Sequence, residues 1–518
     1  MKLLKLFGVV FFCGLLSPTQ GVLSGLTCAV SSTAVQQVLY DAMIKSGLLQ
    51  DRLQDLVLPN IMSDGGVLNS PIIIITGLHL ERSWHPTLSL TLLPGVGIQL
   101  VTSVRLDLSG NCLTGLLSEM IAISVDVTIT TNIKCTNFES GAVQVIVDDC
   151  FCLLGAVKIK LLSSLLSLSV HDIVLSHLTV TLPGLLCPLM DIVFNIMNIQ
   201  LLSTLDVVIP IGSKGMVHYH LAGSPFTSGS SLMMDLDGMV QQNGGSIIPH
   251  DSYASALPLL DYLLDKSLVI GLRQGFLSSM LALVLKIQPH TIPCTTEAFS
   301  GANQMRDAII ALFPSGCTSC PAASPLSIRV DVVGSPILHL EPNKATVELS
   351  VLLQVFVKRP DGSAVNLLLL KADLSLNVRL SIAKSSLMLA LSLGSASIFL
   401  ESSDVGISDI SNLKPHFIKL LVQTYIPIIN AEVAAGVPLP DVLGIPLLGA
   451  ELQILWCHTM CPESHQPLSS AVKVLGQPDA SRVNRSQQHV LMAKKANGGQ
   501  QADQEPALCT GGQEEAGQ

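Results

Sequence analysis

The sequence predicts an α+β fold in which two domains repeat one plan, and three observations support that prediction. Apolar and polar residues alternate strictly over many short segments, which indicates antiparallel strands with one buried face. Apolar residues recur every three or four positions near the start and the end of each half, which indicates helices. Roughly 440 residues between the N-terminal leader and Cys461 suit two domains better than one.

The first 21 residues have the pattern of a secretory signal peptide. Lys2 and Lys5 supply a positively charged start, an apolar run covers Leu6–Leu16, and small residues stand at Thr19 and Gly21. The apolar run is too short to span a bilayer. We therefore expect cleavage after Gly21 and a secreted, extracellular protein.

The N-terminal domain is predicted over residues 22–225. Its first helix begins near Ser32, with apolar residues at 3–4 spacing on one face. Strands follow after Pro71, and the clearest is Ile121–Thr130, in which Ile and Val alternate with Ser, Asp and Thr.

The longest uncharged internal run is Ile173–Met190. It contains His177 and Pro183, which a membrane-spanning helix would tolerate poorly. We interpret it as a buried strand, a turn and the start of a helix that continues to about Leu202. That helix is apolar around most of its circumference, so it needs either a deep core or an apolar ligand beside it.

Residues 226–250 are predicted to be a linker or central region, because Ser and Gly cluster at its two ends. The C-terminal domain is predicted over residues 251–461. Its expected elements, in chain order, are a helix over Leu257–Leu285, strands at Ser327–Val333, Ala345–Lys358, Leu367–Ile382 and Ser386–Glu401, a helix over Leu413–Ala434 and a last strand over Leu443–Leu455. Residues 462–518 have little to bury and are predicted to be a disordered tail, with Asn484 as a glycosylation site.

Three stretches carry a resemblance to a known family. They are the run from Asp148 to Ile159 with Leu182–Leu202, the run Ala256–Leu264, and Pro427–Asn430 with Gly436–Pro440. Together they resemble the superfamily of bactericidal/permeability-increasing (BPI), lipopolysaccharide-binding (LBP) and palate-lung-nasal-epithelium (PLUNC) proteins. The long, two-domain PLUNC branch, of the BPI fold-containing family B type, fits best over residues 22–461.

The resemblance implies two tandem BPI-like domains in a boomerang shape. Each would be a long helix wrapped by a highly curved antiparallel sheet, with an apolar pocket for acyl chains. It also implies a disulfide between the long helix and a strand of the N-terminal domain, which joins Cys187 to Cys152 or Cys150. We favour Cys152 and keep Cys150 as the alternative.

Apolar residues of the first and the late helix are therefore candidate lipid-binding residues. They are Leu39, Met43, Leu189, Val193, Ile196 and Met197. The alternative is that these side chains only pack the core. The function that we expect is a secreted binder or carrier of lipids or other hydrophobic small molecules at mucosal surfaces, with a role in innate host defence. The alternatives are an odorant or pheromone carrier, and a mucosal interaction protein that modulates immune responses without carrying a ligand.

Catalytic motifs are missing from the sequence, so we expect no enzyme, no cofactor and no metal site. The Cys317–Cys320 and Cys457–Cys461 pairs could hold zinc, but secreted cysteines more often form disulfides. Residues 22–225 hold eight basic and fourteen acidic residues. This balance makes lipopolysaccharide at most a weak partner, argues against nucleic acid, and agrees with no stable membrane insertion.

Overall fold

The computed structural model describes residues 25–62, 72–95, 97–114, 117–137, 143–161, 167–249, 266–312, 325–359, 362–447, 450–457 and 469–476. The predicted signal peptide and the predicted glycosylation site at Asn484 lie outside the described residues, so both stay predictions.

The N-terminal domain begins with strand β1 (Leu26–Ser31) and helix α1 (Ser32–Tyr40), as the sequence predicts. The Ser31 hydroxyl caps α1 by accepting a hydrogen bond from the N–H of Ala34 at 3.2 Å. A π-helical turn (Asp41–Lys45) and helix α2 (Leu48–Gln54) follow. An antiparallel sheet then runs in chain order through β2 (Ile61–Met62), β3 (Ile73–Leu93), β4 (Gly97–Thr114), β5 (Leu117–Asn137) and β6 (Val143–Lys160).

Strand β5 confirms the alternation that the sequence predicts. Its Ile and Val residues from Ile121 to Ile129 are almost fully buried, while Ser124, Asp126 and Thr128 between them stay partly exposed. Because side chains on a strand point to opposite faces in turn, one face of the sheet closes the core and the other meets solvent.

Helix α3 (Ser167–Leu202) corrects our interpretation of Ile173–Met190. The whole run is helical, with Pro183 and Pro188 inside it, and the helix packs against β6. Buried residues at four-residue spacing hold it there, from Val170 through Val174 and Leu178 to Leu182 and Leu186. Packing along this face offsets the backbone hydrogen bonds that the prolines remove. By length and composition α3 could also cross a membrane, but core helices pass the same test.

Residues 226–248 correct the predicted linker, because they form strands of a nine-stranded central sheet. The strands of this segment and of the residues before it are β7 (Val207–Ile211), β8 (Gly215–Leu221), β9 (Phe226–Ser228), β10 (Ser231–Gln242) and β11 (Ile247–Ile248). The Gly-rich composition marks tight turns, since Gly229, Gly244 and Gly245 all adopt positive φ. The domain boundaries themselves stay predictions.

The C-terminal domain repeats the plan with strand β12 (Leu268–Arg273) and helix α4 (Gln274–Val284). Strand β13 (His290–Pro293) begins a second antiparallel sheet, and helix α5 (Ala302–Ala311) follows it in the chain. This sheet contains β13, β14 (Leu326–Glu341), β15 (Lys344–Lys358), β16 (Ala364–Ala383), β17 (Ser386–Ser403) and β18 (Val437–Pro438). Helices α6 (Lys414–Leu420) and α7 (Ile426–Glu432) are joined by a π-helical turn. The chain returns to the central sheet through β19 (Glu451–Cys457) and β20 (Ser469–Leu475).

Three predictions for this half were wrong in part. Residues 268–273 are a strand, so the predicted helix over Leu257–Leu285 is helical only from Gln274 among its described residues. The predicted last strand over Leu443–Leu455 begins only at Glu451. The predicted disordered tail contains β20, whose Val472 and Val474 are fully buried.

The central sheet shows how the two domains repeat each other. Its strand order is β19-β20-β12-β1-β10-β8-β7, which places the two domain-opening strands side by side. They are antiparallel, with Cys28 opposite Ile270 at the middle of the pairing. Since each opening strand leads directly into a helix, the sheet places α1 and α4 in equivalent positions of their domains.

Candidate functional site

The N-terminal domain encloses a largely apolar cavity of about 370 Å³. It lies between α1, the C-terminal end of α3, and the β3–β4 and β5–β6 ends of the sheet. Its lining includes Val35, Val38 and Leu39 of α1, Phe194, Met197 and Leu201 of α3, and Gly97, Ile133 and Phe226 of the strands and turns.

A glycine is required in the wall of the cavity. Gly97 begins β4 with φ +143°, in the region that favours glycine. A Cβ at this position would collide with the backbone carbonyl of Ile133 on the neighbouring strand. The close approach of β4 and β5 therefore depends on the absence of a side chain here.

The segment that we predicted to be a linker contributes to the wall of the cavity. Phe226 of β9 lines the cavity and is half exposed. The Thr227 hydroxyl donates a hydrogen bond to the carbonyl of Leu93 at 2.7 Å, which holds β9 against the end of β3. Leu443 of the C-terminal domain completes the wall, and its N–H donates to Thr204 Oγ1 at 3.2 Å.

The six predicted lipid-binding residues divide into two groups. Leu39 and Met197 line the cavity. Met43, Leu189 and Val193 are buried but do not line it, and Ile196 is only half buried. On α3 the cavity is lined by Phe194, Met197 and Leu201 among others. Two of the four predicted residues of this helix therefore lie before it, and lipid binding by all six predicted residues stays a prediction. The helical period that predicts Met197, carried forward, also reaches Leu201.

The C-terminal domain has an equivalent cavity that is almost closed, at about 20 Å³. Val35 and Leu39 of α1 stand four and eight residues after the end of β1, and Leu277 and Leu281 of α4 stand at the same distances after the end of β12. This small cavity is lined only by apolar residues. Its volume is about that of a single water site, so it has no room for a lipid chain.

The disulfide of the N-terminal domain joins Cys150 of β6 to Cys187 of α3, with a Cα–Cα distance of 5.8 Å. Our preference for Cys152 was therefore wrong and the alternative is correct. Cys150 and Cys152 are two residues apart on one strand, so both face the helix and residue spacing could not separate them. Cys152 stays a half-buried thiol, and burial raises its pKa to about 11.

The described residues contain no group of three or more His, Cys, Asp or Glu side chains that could hold a metal ion. Cys317, Cys320 and Cys461 of the two predicted cysteine pairs lie outside the described residues. Cys294 is a buried free thiol whose Sγ donates to the carbonyl of Ala302 at 3.2 Å.

Two sheet-and-helix domains, one with an apolar cavity at the end of its long helix, are the architecture of the BPI fold. The chain belongs to the LBP/BPI/CETP family. The family's N-terminal domain matches residues 37–205, and its C-terminal domain matches residues 261–458. The predicted family and fold class are thereby confirmed.

Two relatives in this family are about 30% identical to the chain over the aligned residues. BPI fold-containing family B member 4 of Homo sapiens is 31% identical over 76% of this chain and 64% of its own length. BPI fold-containing family B member 3 of Mus musculus is 29% identical over 74% of this chain and 79% of its own length. The crystal structure of lipopolysaccharide binding protein, 18% identical, superimposes with a TM-score of 0.53 over 88% of this chain and 99% of that chain, which shows a shared fold.

Proposed function

We propose that the protein is a secreted carrier that holds one hydrophobic small molecule or lipid chain in the cavity of its N-terminal domain. The observation that supports this proposal is the cavity of about 370 Å³ with a largely apolar lining. Its volume lies at the small end of the range of about 300–1,000 Å³ that small-molecule sites occupy.

The size of the cavity sets the size of the ligand. If a methylene group takes about the 30 Å³ that a water molecule occupies in the liquid, the cavity holds about a dozen methylenes. At about 0.8 kcal/mol for each buried methylene, such a chain gains about 10 kcal/mol. Association costs about 4 kcal/mol or more. The surplus is therefore at most about 6 kcal/mol, which corresponds to a dissociation constant of tens of micromolar or weaker.

The charge of the N-terminal half supports a carrier more than a membrane-disrupting protein. Eight basic residues stand against fourteen acidic ones in residues 22–225. Coulomb attraction to an anionic membrane or to phosphorylated lipopolysaccharide is therefore weak or repulsive. We propose a mucosal setting and a host-defence role for the carrier, with lipopolysaccharide as a weak ligand at most.

The test is lipid binding by protein secreted from a eukaryotic host. Organic extraction with mass spectrometry would identify co-purified lipid, and titration with a fluorescent fatty acid would measure uptake. Val38→Trp places a large side chain in the cavity and should lower the affinity for the fluorescent fatty acid at least tenfold. The matched control is Ile199→Trp, which adds the same side chain at an exposed position of α3 that does not line the cavity.

Co-purified lipid or saturable uptake that Val38→Trp removes and Ile199→Trp leaves intact would support the carrier. Wild-type protein without co-purified lipid and without uptake would contradict it and favour the interaction protein that carries no ligand. Uptake that both variants retain would place the ligand outside this cavity.

A further inference from the structure

The apolar cavity of the N-terminal domain has one charged side chain in its lining. Among the described residues that line it, Lys134 alone carries a formal charge. Lys134 lies near the end of β5, next in sequence to the lining residue Ile133. The lining thus combines apolar walls with one basic residue, whose side chain is 40% exposed.

Lys134 forms an ion pair with Asp148, which lies at a β-bulge in strand β6. Strands β5 and β6 pair Asn132 with Asp149 and Ile133 with Val147, so Asp148 is an extra residue in β6. Such a bulge turns a side chain out of the regular alternation. The Asp148 carboxylate forms an ion pair with the Lys134 ammonium, and the distance from Nζ to Oδ2 is 2.6 Å.

A ligand can replace Asp148 as the ion-pair partner of Lys134. Both side chains are 40% exposed, so water solvates the pair and Asp148 can turn outward at little cost. Asp148 does not line the cavity, whereas Lys134 does. A ligand carboxylate arriving from the cavity side can therefore replace Asp148 as the partner of the ammonium.

Two other side chains of the lining, Asn198 and Thr227, are polar, and each already donates a hydrogen bond to a backbone carbonyl. The Asn198 amide donates to the carbonyl of Val145 at 2.6 Å, and the Thr227 hydroxyl donates to the carbonyl of Leu93 at 2.7 Å. Thr227 has no further hydroxyl proton to donate, and the remaining N–H of Asn198 carries no formal charge. Lys134 is therefore the side chain of the lining that can neutralise an anionic head group.

We propose that the ligand is a single-chain amphiphile with a carboxylate head, such as a fatty acid, whose head pairs with Lys134 while its chain fills the cavity. A volume of about 370 Å³ fits one chain rather than the two of a diacyl lipid. A single lysine suits a monoanion, because a phosphate monoester carries a charge of about −1.5 to −2 and would face Asp148 with less compensation. This inference rests on the proposed function and names the ligand class of the same site.

The experiment compares myristate with methyl myristate, which has the same chain without the charge. Dissociation constants are measured by displacement of a fluorescent probe from the full chain. Wild-type protein should bind myristate about tenfold more tightly than the ester. Lys134→Met should remove that preference by weakening myristate about tenfold, and should change the affinity for the ester less than twofold.

Asp148→Asn gives an independent arm that keeps Lys134. Removing the competing carboxylate should strengthen myristate binding at least twofold and leave ester binding unchanged. Lys160→Met, an exposed lysine of β6 that does not line the cavity, is the matched control and should match wild type for both ligands.

The outcomes separate this inference from the proposed function. Equal binding of acid and ester by wild type, unchanged in Asp148→Asn, would overturn the head-group proposal and leave the carrier standing. Binding of neither ligand would overturn the carrier itself. An equal loss of myristate binding in Lys160→Met would show general electrostatic attraction instead of a specific contact. If Lys134→Met fails to fold, the acid-to-ester ratio of wild type and Asp148→Asn still decides the question.

Discussion

The two domains start from the same strand and helix, yet the cavity that the described residues form beneath that helix measures about 370 Å³ in the N-terminal domain and about 20 Å³ in the C-terminal domain. In the C-terminal domain, Leu338, Leu340 and Leu380 fill the space beneath α4. In the N-terminal domain, the space beneath α1 is lined by Val35, Leu39 and Phe194 among others and stays open. The same strand-and-helix start therefore accompanies an open cavity in one domain and a nearly filled one in the other.

The long helices differ in length and in how they are attached. Helix α3 has 36 residues and is joined to β6 by the Cys150–Cys187 disulfide. Helices α6 and α7 have seven residues each, and Asn430 attaches α7 to β17 by hydrogen bonds to both the N–H and the carbonyl of Leu391. The long helix of the N-terminal domain is thus attached to its sheet by a disulfide bond, whereas α7 of the C-terminal domain is attached by the side-chain amide of Asn430.

The largest expected effect comes from truncating the same helix position in both domains. Leu281→Ala should lower the free energy of unfolding by about 2–5 kcal/mol, since it opens a void in a filled core. Leu39→Ala should cost only about 1–2 kcal/mol, because that side chain already borders open space and loses fewer contacts. Chemical denaturation of both variants measures the difference. Equal losses would contradict the contrast between a filled and an open domain.

Removing the disulfide should have the next largest effect. Cys150→Ser combined with Cys187→Ser should destabilise the protein by about 2–4 kcal/mol, because the bond closes a loop with a sequence separation of 37 residues. Cys152→Ser is the matched control and should cost less than about 1 kcal/mol. Denaturation curves together with peptide mapping check this prediction. A mapped Cys152–Cys187 bond would reverse the assignment.

The sequence alone predicts the elements that follow a regular period. The alternation in β5 and the first helix from Ser32 are confirmed because each has a single buried face. Prediction failed where local chemistry and tertiary packing disagree. Pro183 indicates a break, yet packing against β6 keeps α3 helical, and the Gly and Ser residues around β10 indicate a linker although they only turn the chain between strands.

The candidate site was predictable only in part for the same reason. The spacing of apolar residues in α3 identifies its buried face, including Met197. The same spacing continues along the helix, so it does not predict which turn borders the cavity. Phe226 and Leu443 come from segments far apart in sequence and meet only in the fold. Lys134 could have been noticed as a charge that follows the apolar alternation of β5, but its meeting with Asp148 depends on a bulge that composition does not reveal.

The central claim is that one domain holds a ligand and the other does not. Native mass spectrometry of the full chain saturated with myristate tests it most directly, because it counts bound molecules. We predict one myristate per chain for wild type and none for Val38→Trp. Two specifically bound molecules per chain, or one that survives in Val38→Trp, would contradict the account.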